Sequence, residues 1–275
     1  AAMNQPTVRR PSIRPRARAS ALALGALVLG ALALAGCATN GAQTGPSASA
    51  PIDINIAHIN DHHSQLDAFA ATELVLDGVP TQVELGGFAR QTSLFKSVAG
   101  TPNLLKLHAG DAMTGSLYYT FFKGKADAQM MNTVCFDAFI PGNHEFDDGD
   151  ATLKAFLDEL AQGPCQTPTL SANIVPQPGT PLAPAGGRPY LQPSIVKDIG
   201  GVRVGLVGIT IAGKTRASSR PLASTQFFDE ARSAQAAIDA LTAQGVRHIV
   251  LMTHHGYDAD LALALSLNGR ALLRD

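Results

Sequence analysis

Four short polar clusters in the sequence carry residue types that bind metal ions. Each cluster follows an apolar run that is typical of a buried strand. Open α/β sheets place their ligands at the carboxyl ends of strands, so we expect the four clusters to converge. They are Asp61-x-His63, Gly110-Asp111, Gly142-Asn143-His144 and the His254 of Thr-His-His-Gly.

Each cluster also has an ordinary structural explanation. Asp61 could cap a turn, and Asp111 could cap a helix. His254 could be a histidine at a sheet edge whose hydrogen bonds are satisfied, and Gly-Asn-His-Glu could be a turn with a capping asparagine. The position of all four clusters at strand ends favours convergence over four separate coincidences.

The residue types indicate a particular chemistry. Asp, His and Asn side chains together suit Zn²⁺, Mn²⁺ or Fe²⁺ rather than a soft thiolate site. A central carboxylate, here Asp111, can bridge two metals about 3.5–4 Å apart, which clamp a phosphoryl group and lower the pKa of a bound water. Transition-state charge would then fall on the metals and on His144.

An alternation of strand and helix patterns must position these clusters. It predicts an α/β fold, with a layered sheet and helices outside. Strands are predicted over residues 52–59, 103–108, 136–140, 169–174 and 247–253, with a hairpin over 73–84 and a strand pair over 192–211. Helices are predicted over residues 85–98, 123–133, 151–160 and 229–244.

The charge of the chain is unevenly distributed. The 275 residues carry a formal net charge of −1, but residues 1–36 contain five arginines and no acidic residue. The rest of the chain therefore has an excess of acidic residues, which argues against nucleic acid as a partner. An acidic protein that acts on an anionic substrate needs metal ions to reverse the local charge.

Residues 1–37 have the pattern of an export signal. The basic stretch precedes an apolar run from Ala19 to Ala35, and Leu-Ala-Gly-Cys, ending at Cys37, resembles the bacterial lipobox. This predicts a periplasmic protein anchored to the cell envelope by a lipid on Cys37, with residues 38–51 as a flexible tether. An uncleaved membrane anchor is the alternative.

Two cysteines remain after Cys37. Cys135 and Cys165 precede consecutive predicted strands, and in an oxidising periplasm they could form a disulfide. Buried free thiols are the alternative, and the sequence leaves both open.

Together the clusters resemble the motifs of the calcineurin-like metallophosphoesterases, which are D-x-H, G-D, G-N-H-E/D, H and G-H-x-H. Within that superfamily the chain resembles the bacterial 5′-nucleotidases over about residues 54–265. The features that carry the narrower likeness are Asn-Asp-His-His at 60–63, Glu-Leu-Gly-Gly-Phe-Ala-Arg at 84–90, Gly110-Asp111 through Gly115-Ser116, and Gly-Asn-His-Glu-Phe-Asp at 142–147.

The resemblance implies two divalent metal ions, a nucleotide substrate and a sandwich of two packed β-sheets flanked by helices over residues 52–275. It implies that Asp61 and His63 hold the first metal, that Asp111 bridges, and that Asn143 and His254 hold the second. His144, oriented by Asp147, would stabilise the transition state. The remaining histidines, His58, His62, His108, His248 and His255, are expected to be non-ligands.

The chain departs from the family pattern in one respect. No histidine follows His255, so the Gly-His-x-His motif is absent, and a truncated catalytic domain, incomplete at its C-terminus, is expected. The favoured function is that of a 5′-nucleotidase. One alternative is a UDP-sugar hydrolase, 2′,3′-cyclic phosphodiesterase or thiosulfohydrolase of the same superfamily. The other is a non-catalytic envelope lipoprotein with a partial metal site.

Overall fold

The computed structural model describes residues 51–184, 186–187 and 189–267. The predicted export signal with Cys37, nearly all of the predicted tether, and residues 268–275 lie outside these ranges. Among the described residues, no helix combines the length and the apolar character needed to cross a membrane.

Strands and helices alternate along the described chain. The strands are β1 (Asn55–Ile59), β2 (Thr72–Leu76), β3 (Val79–Val83), β4 (Leu104–His108), β5 (Ala138–Phe139), β6 (Ile174–Pro176), β7 (Ser194–Ile199), β8 (Val202–Thr210), β9 (Thr225–Phe227) and β10 (His248–His254). The helices are α1 (Phe88–Ser97), α2 (Leu117–Phe122), α3 (Lys125–Met131), α4 (Asp150–Gln162), α5 (Ala212–Ser218), α6 (Glu230–Ala243) and α7 (Tyr257–Ser266).

Two three-stranded sheets form the centre of the domain. The first has the order β1-β4-β5 with all strands parallel, and the second has the order β10-β8-β7, in which β10 is parallel and β7 antiparallel to β8. The hairpin β2-β3 and the antiparallel pair β6-β9 lie outside these two sheets.

Apolar residues from both sheets meet in one buried cluster. Leu105 and Leu107 of β4 contribute from the first sheet, and Val204 and Leu206 of β8 contribute from the second. The opposite face of the first sheet is covered by α1, α3 and α4, and the opposite face of the second by α6. This arrangement confirms the predicted sandwich of two packed sheets flanked by helices.

The predicted elements differ from the observed ones in several places, and α2, α5, α7 and β9 were not predicted. The helix predicted over 123–133 is α3, which is shorter, and Lys123 and Gly124, with left-handed φ angles of 50° and 88°, separate it from α2. The strand predicted over 169–174 is shorter and later: Thr169 and Leu170 make isolated bridges, and β6 begins at Ile174.

The two sheets approach most closely around Gly208 of β8. A Cβ atom at this position would lie 2.5 Å from the Leu170 carbonyl oxygen and 2.7 Å from Ile140 Cγ2. The backbone of Gly208 also accepts a hydrogen bond from Ala172 N at 2.7 Å. A side chain at residue 208 would therefore push apart backbone and core atoms that cannot move freely.

We expect Gly208→Ala to lower the free energy of unfolding by about 1–3 kcal/mol, as overpacking of a core does. The matched control is Gly213→Ala in α5, where an added Cβ would meet no atom within 4 Å. Alanine is favoured over glycine in a helix by up to about 1 kcal/mol, so the control should be neutral or stabilising. Urea unfolding curves measure both, and equal midpoints for the two variants would contradict the close approach.

Candidate metal centre

The loops that follow β1 and β4 form one unit at the carboxyl edge of the first sheet. Backbone hydrogen bonds run from Asp61 N to the Gly110 oxygen at 2.9 Å and from His63 N to the Asp111 oxygen at 3.1 Å. Asp61, His63 and Asp111 have left-handed φ angles between 47° and 51°. Non-glycine residues keep this conformation only where the surroundings enforce it, and such residues cluster at functional sites.

The carboxylate of Asp111 lies at the centre of the candidate ligands. Its side chain is 2% exposed. Its Oδ2 atom is 3.1 Å from His254 Nε2 and 3.7 Å from His63 Nε2. Its Oδ1 atom accepts a hydrogen bond from the backbone N–H of His144 at 2.9 Å. The structure thus brings together side chains that follow β1, β4, β5 and β10.

Two sets of side chains could each hold a metal ion. One set is His63, Asp111 and His144, and the other is Asp61, Asp111 and His254; in each, the ligand atoms lie within 4.8 Å of one another. Asp111 belongs to both sets. Asp61 falls in the set with His254, although its Oδ1 atom is also 3.3 Å from His63 Nε2.

The side chain of Asn143 supports a metal at this place. The residue is fully buried, and neither atom of its amide group has a hydrogen-bond partner. An unsatisfied buried polar group costs about 1–3 kcal/mol, so such groups require an explanation. A metal ion bound through the amide oxygen supplies one, and the residues present therefore fit the metals that the resemblance implies.

The pKa values of two candidate ligands indicate that the site favours positive charge. Burial raises the pKa of Asp61, but hydrogen bonds from His63 and Asn60 outweigh it and bring the pKa to about 2. Burial lowers the pKa of His254, but the hydrogen bond to Asp111 outweighs it and brings the pKa to about 9. Protons on the histidine rings therefore balance the negative charge of the carboxylates here, and a bound dication would supply positive charge in their place.

A backbone carbonyl group orients the ring of His254 toward Asp111. Its Nδ1 atom donates to the Ala109 carbonyl oxygen at 2.8 Å, which leaves Nε2 facing Asp111. Histidines that bind metals commonly donate their second ring N–H in this way, and the bond fixes both the ring and the tautomer.

His144 and Asp147 form the predicted pair. Asp147 Oδ2 lies 2.6 Å from His144 Nδ1, and the short helical turn that begins at His144 brings the two together. Ser219, which no sequence motif singles out, has its Oγ atom 2.7 Å from Asp147 Oδ1, to which it donates, and 2.8 Å from the Asn143 carbonyl oxygen. Ser219 is 72 residues from Asp147, so only the folded chain reveals this contact.

Glu145 is a second functional residue that the sequence reasoning missed. Its buried carboxylate accepts backbone hydrogen bonds from Asp111, Ala112, Met113 and Gly142. Burial, followed by the charge of Asp111, raises the pKa of Glu145 to about 7. The signal was present, since this glutamate follows directly on the Asn-His pair.

The histidines predicted to be non-ligands lie outside the two ligand sets of the described residues. His62 and His108 are buried and contact each other, while His58 and His248 are exposed on β1 and β10. His255 Nε2 is 3.8 Å from Glu230. Elsewhere in the domain, Cys135 and Cys165 are joined as a disulfide, with their Cα atoms 5.0 Å apart.

A cavity of about 250 Å³ opens beside the ligands. Asp61, Asn143 and His254 line it, and so does Lys214 of α5. Lys214 is exposed, and the described residues place no carboxylate within ion-pair distance of its ammonium group. The cavity therefore combines candidate metal ligands with a cation, which suits an anionic ligand.

Comparisons with known proteins show the family of the chain. Residues 54–265 match the family described as Calcineurin-like phosphoesterase. The chain is 37% identical over 224 residues to a probable 5′-nucleotidase of Treponema pallidum, and the match covers 81% of this chain and 36% of that protein.

Two solved structures are also similar. The NAD nucleotidase of Haemophilus influenzae superposes with a TM-score of 0.72 at 36% identity, over 79% of this chain and 37% of that one. A 5′-nucleotidase precursor of Thermus thermophilus gives a TM-score of 0.67 at 38% identity, over 77% and 39%. The chain thus spans less than half the length of these relatives, and it belongs to the calcineurin-like phosphoesterase family.

Proposed function

We propose that this chain contributes the catalytic domain, residues 52–275, of a metal-dependent phosphatase that releases phosphate from nucleoside 5′-monophosphates. The observation that carries the proposal is the Asp111 carboxylate, which both ligand sets share, beside the unpartnered amide of Asn143. The names of the relatives, 5′-nucleotidase and NAD nucleotidase, support a nucleotide substrate.

We assign the ligands as the family resemblance implies. Asp61 and His63 would hold one divalent ion, Asn143 and His254 would hold the other, and Asp111 would be shared between them. Bound there, such ions would supply positive charge for phosphoryl oxygens and would lower the pKa of a water. The donor set suits Zn²⁺, Mn²⁺, Fe²⁺ or a similar dication.

The protein side chains position the substrate and the protons. When His144 is doubly protonated, it donates Nδ1–H to Asp147 and retains Nε2–H for a phosphoryl or leaving-group oxygen. Lys214 lines the same cavity as Asp61 and His254 and adds positive charge there. Together these groups suit a substrate with a dianionic phosphate.

We further propose export and attachment to the cell envelope through a lipid on Cys37, with residues 38–51 as the tether. The disulfide between Cys135 and Cys165 supports an oxidising compartment, since such bonds persist outside the cytosol.

The proposed function is tested by counting bound metal and released phosphate. We expect two ions per chain by elemental mass spectrometry, and phosphate release from AMP that a chelator abolishes and added Mn²⁺ or Zn²⁺ restores.

Asp111→Asn should lose both ions, because the bridging charge disappears. The matched control is Asp158→Asn, whose carboxylate pairs with Lys154 on α4.

Unchanged metal stoichiometry in Asp111→Asn would contradict the bridge. Release from UDP-glucose or a 2′,3′-cyclic nucleotide in preference to AMP would indicate a related hydrolase instead. Two bound ions without hydrolysis of any of these would favour a non-catalytic envelope lipoprotein.

The role of His144 can be separated from that of a ligand. His144→Ala should lower kcat by about 10²–10³-fold, the usual loss for one transition-state donor, while the metal content stays at the wild-type value. Asp147→Asn should show a smaller loss of kcat, because the ring remains but its orientation is weakened. Loss of a metal ion in His144→Ala would instead make His144 a ligand, as its place in one ligand set permits.

The contribution of Lys214 should appear in substrate affinity. Lys214→Ala should raise KM for AMP about 10–100-fold and leave kcat within about threefold, because a charge-assisted hydrogen bond contributes about 1.5–3 kcal/mol. Lys214→Arg should retain most of the affinity. The control is Lys125→Ala, since Lys125 pairs with Glu159 on α4; an equal rise in KM for both alanine variants would remove Lys214 from the substrate site.

A further inference from the structure

A chain of buried polar side chains runs beneath the loops that carry the metal ligands. Asp127 of α3, His62 and His108 are 0%, 5% and 0% exposed. His62 Nε2 lies 3.2 Å from Asp127 Oδ1, and His62 Nδ1 lies 2.9 Å from His108 Nε2. His108 Nδ1 accepts the backbone N–H of Gly110 at 3.2 Å.

The protons along this chain can be arranged in one way only while both rings are neutral. The Gly110 N–H is a fixed donor, so His108 Nδ1 must be the acceptor and His108 carries its proton on Nε2. That proton is donated to His62 Nδ1, so His62 also carries its proton on Nε2 and donates it to Asp127. Asp127 Oδ2 accepts from Ser64 Oγ at 3.0 Å, which satisfies the second oxygen.

The chain contacts both loops that carry candidate metal ligands. His62 lies between Asp61 and His63, and Gly110 directly precedes Asp111. The backbone of both loops is left-handed at these ligands, a conformation that persists only when the surroundings over-determine it. The hydrogen bonds link the two loops from below and attach both to α3.

Aromatic rings separate this network from water. Phe88 packs edge-on against His62 at a centroid distance of 5.1 Å, and Phe136 and Phe139 pack against His108 at 5.3 and 5.4 Å. A buried carboxylate and two imidazoles in apolar surroundings are costly unless fully hydrogen-bonded. Apolar residues of similar volume would fill this space without that cost, so stability alone does not explain the polar chain.

We propose that Asp127, His62 and His108 are positioning residues, which hold the Asp61–His63 loop and the Asp111 loop in the register that metal binding requires. The inference rests on the proposed function for the role of the loops. The hydrogen-bonded network itself does not depend on that function. None of the three side chains belongs to the ligand sets of the described residues, so each acts through the backbone that it supports.

The network is tested first in the unaltered protein by NMR of the imidazole nitrogens. Long-range ¹H–¹⁵N correlation spectra at pH 7.5 should show His62 and His108 as neutral rings, both protonated on Nε2. A proton on Nδ1 of either ring, or an imidazolium signal from either, would overturn the network. This result is independent of metal binding and of catalysis.

The positioning role is tested by His108→Phe, which keeps an aromatic ring and removes both hydrogen bonds. Its matched control is Phe136→Leu, a buried neighbour that contacts the same ring without polar atoms. Both variants should lower the melting temperature. Only His108→Phe should weaken the binding of Mn²⁺, by about 10–100-fold as the loss of an outer partner of a metal site does.

A conservative pair completes the design. Asp127→Asn keeps an oxygen that can accept from His62 and should bind Mn²⁺ within about threefold of wild type, whereas Asp127→Ala should bind as weakly as His108→Phe. Equal affinities of His108→Phe and Phe136→Leu would overturn the positioning role.

If the wild-type protein binds no metal, the proposed function is wrong. The further inference is then tested by hydrogen exchange of the backbone amides. Exchange at Gly110 should be faster in His108→Phe than in Phe136→Leu of similar stability. Equal protection in the two variants would overturn the inference.

Discussion

One buried carboxylate ties together the two loops at the centre of the site. Glu145 accepts the N–H groups of three consecutive residues that follow β4, beginning at Asp111, and that of Gly142 after β5. Each of these amides would cost about 1–3 kcal/mol if it were buried without a partner. Asp111 is therefore placed by the backbone on which it stands, and its own carboxylate oxygens remain available to His63, His254 and the N–H of His144.

The second sheet contributes His254 to the same edge, because the ends of strands from the two sheets lie close together. His254, the last residue of β10, reaches the first sheet with a hydrogen bond to the Ala109 carbonyl. A Cβ atom on Gly110 would lie 2.7 Å from Gly142 N and 2.9 Å from His254 Nδ1, so the strand ends can converge only with glycine there. The Gly110-Asp111 motif thus supplies both the central carboxylate and the space that lets its partners come close.

Local patterns allowed the layered α/β fold and the convergence of the candidate ligands to be predicted, whereas the sandwich of two packed sheets was implied by the family resemblance. Apolar runs mark the strands, and residues at strand ends share one edge of the sheet. The prediction missed α2 and began the next helix at Lys123, because the left-handed break at Lys123 and Gly124 goes with close packing of Gly124 against Met113 and Phe156, which sequence patterns do not show. Ser219 was missed because its contact with Asp147 links residues far apart in the chain, which composition and periodicity cannot reveal.

The segment after α5 is hydrogen-bonded to the loop that carries the His144–Asp147 pair and to the start of α4. Ser219 holds Asp147, the N–H of Arg220 donates to the Phe146 oxygen at 2.9 Å, and the N–H of Leu222 donates to Asp150 Oδ1 at 2.8 Å. The histidine–aspartate pair is therefore held by a segment between β8 and β10 of the second sheet, whereas Asp61, His63 and Asp111 are held by loops of the first. Because the two sheets share one packed core, a change in their separation would alter the distance between the pair and the ligands. The dense packing between the sheets is thus part of the geometry of the site, as well as a source of stability.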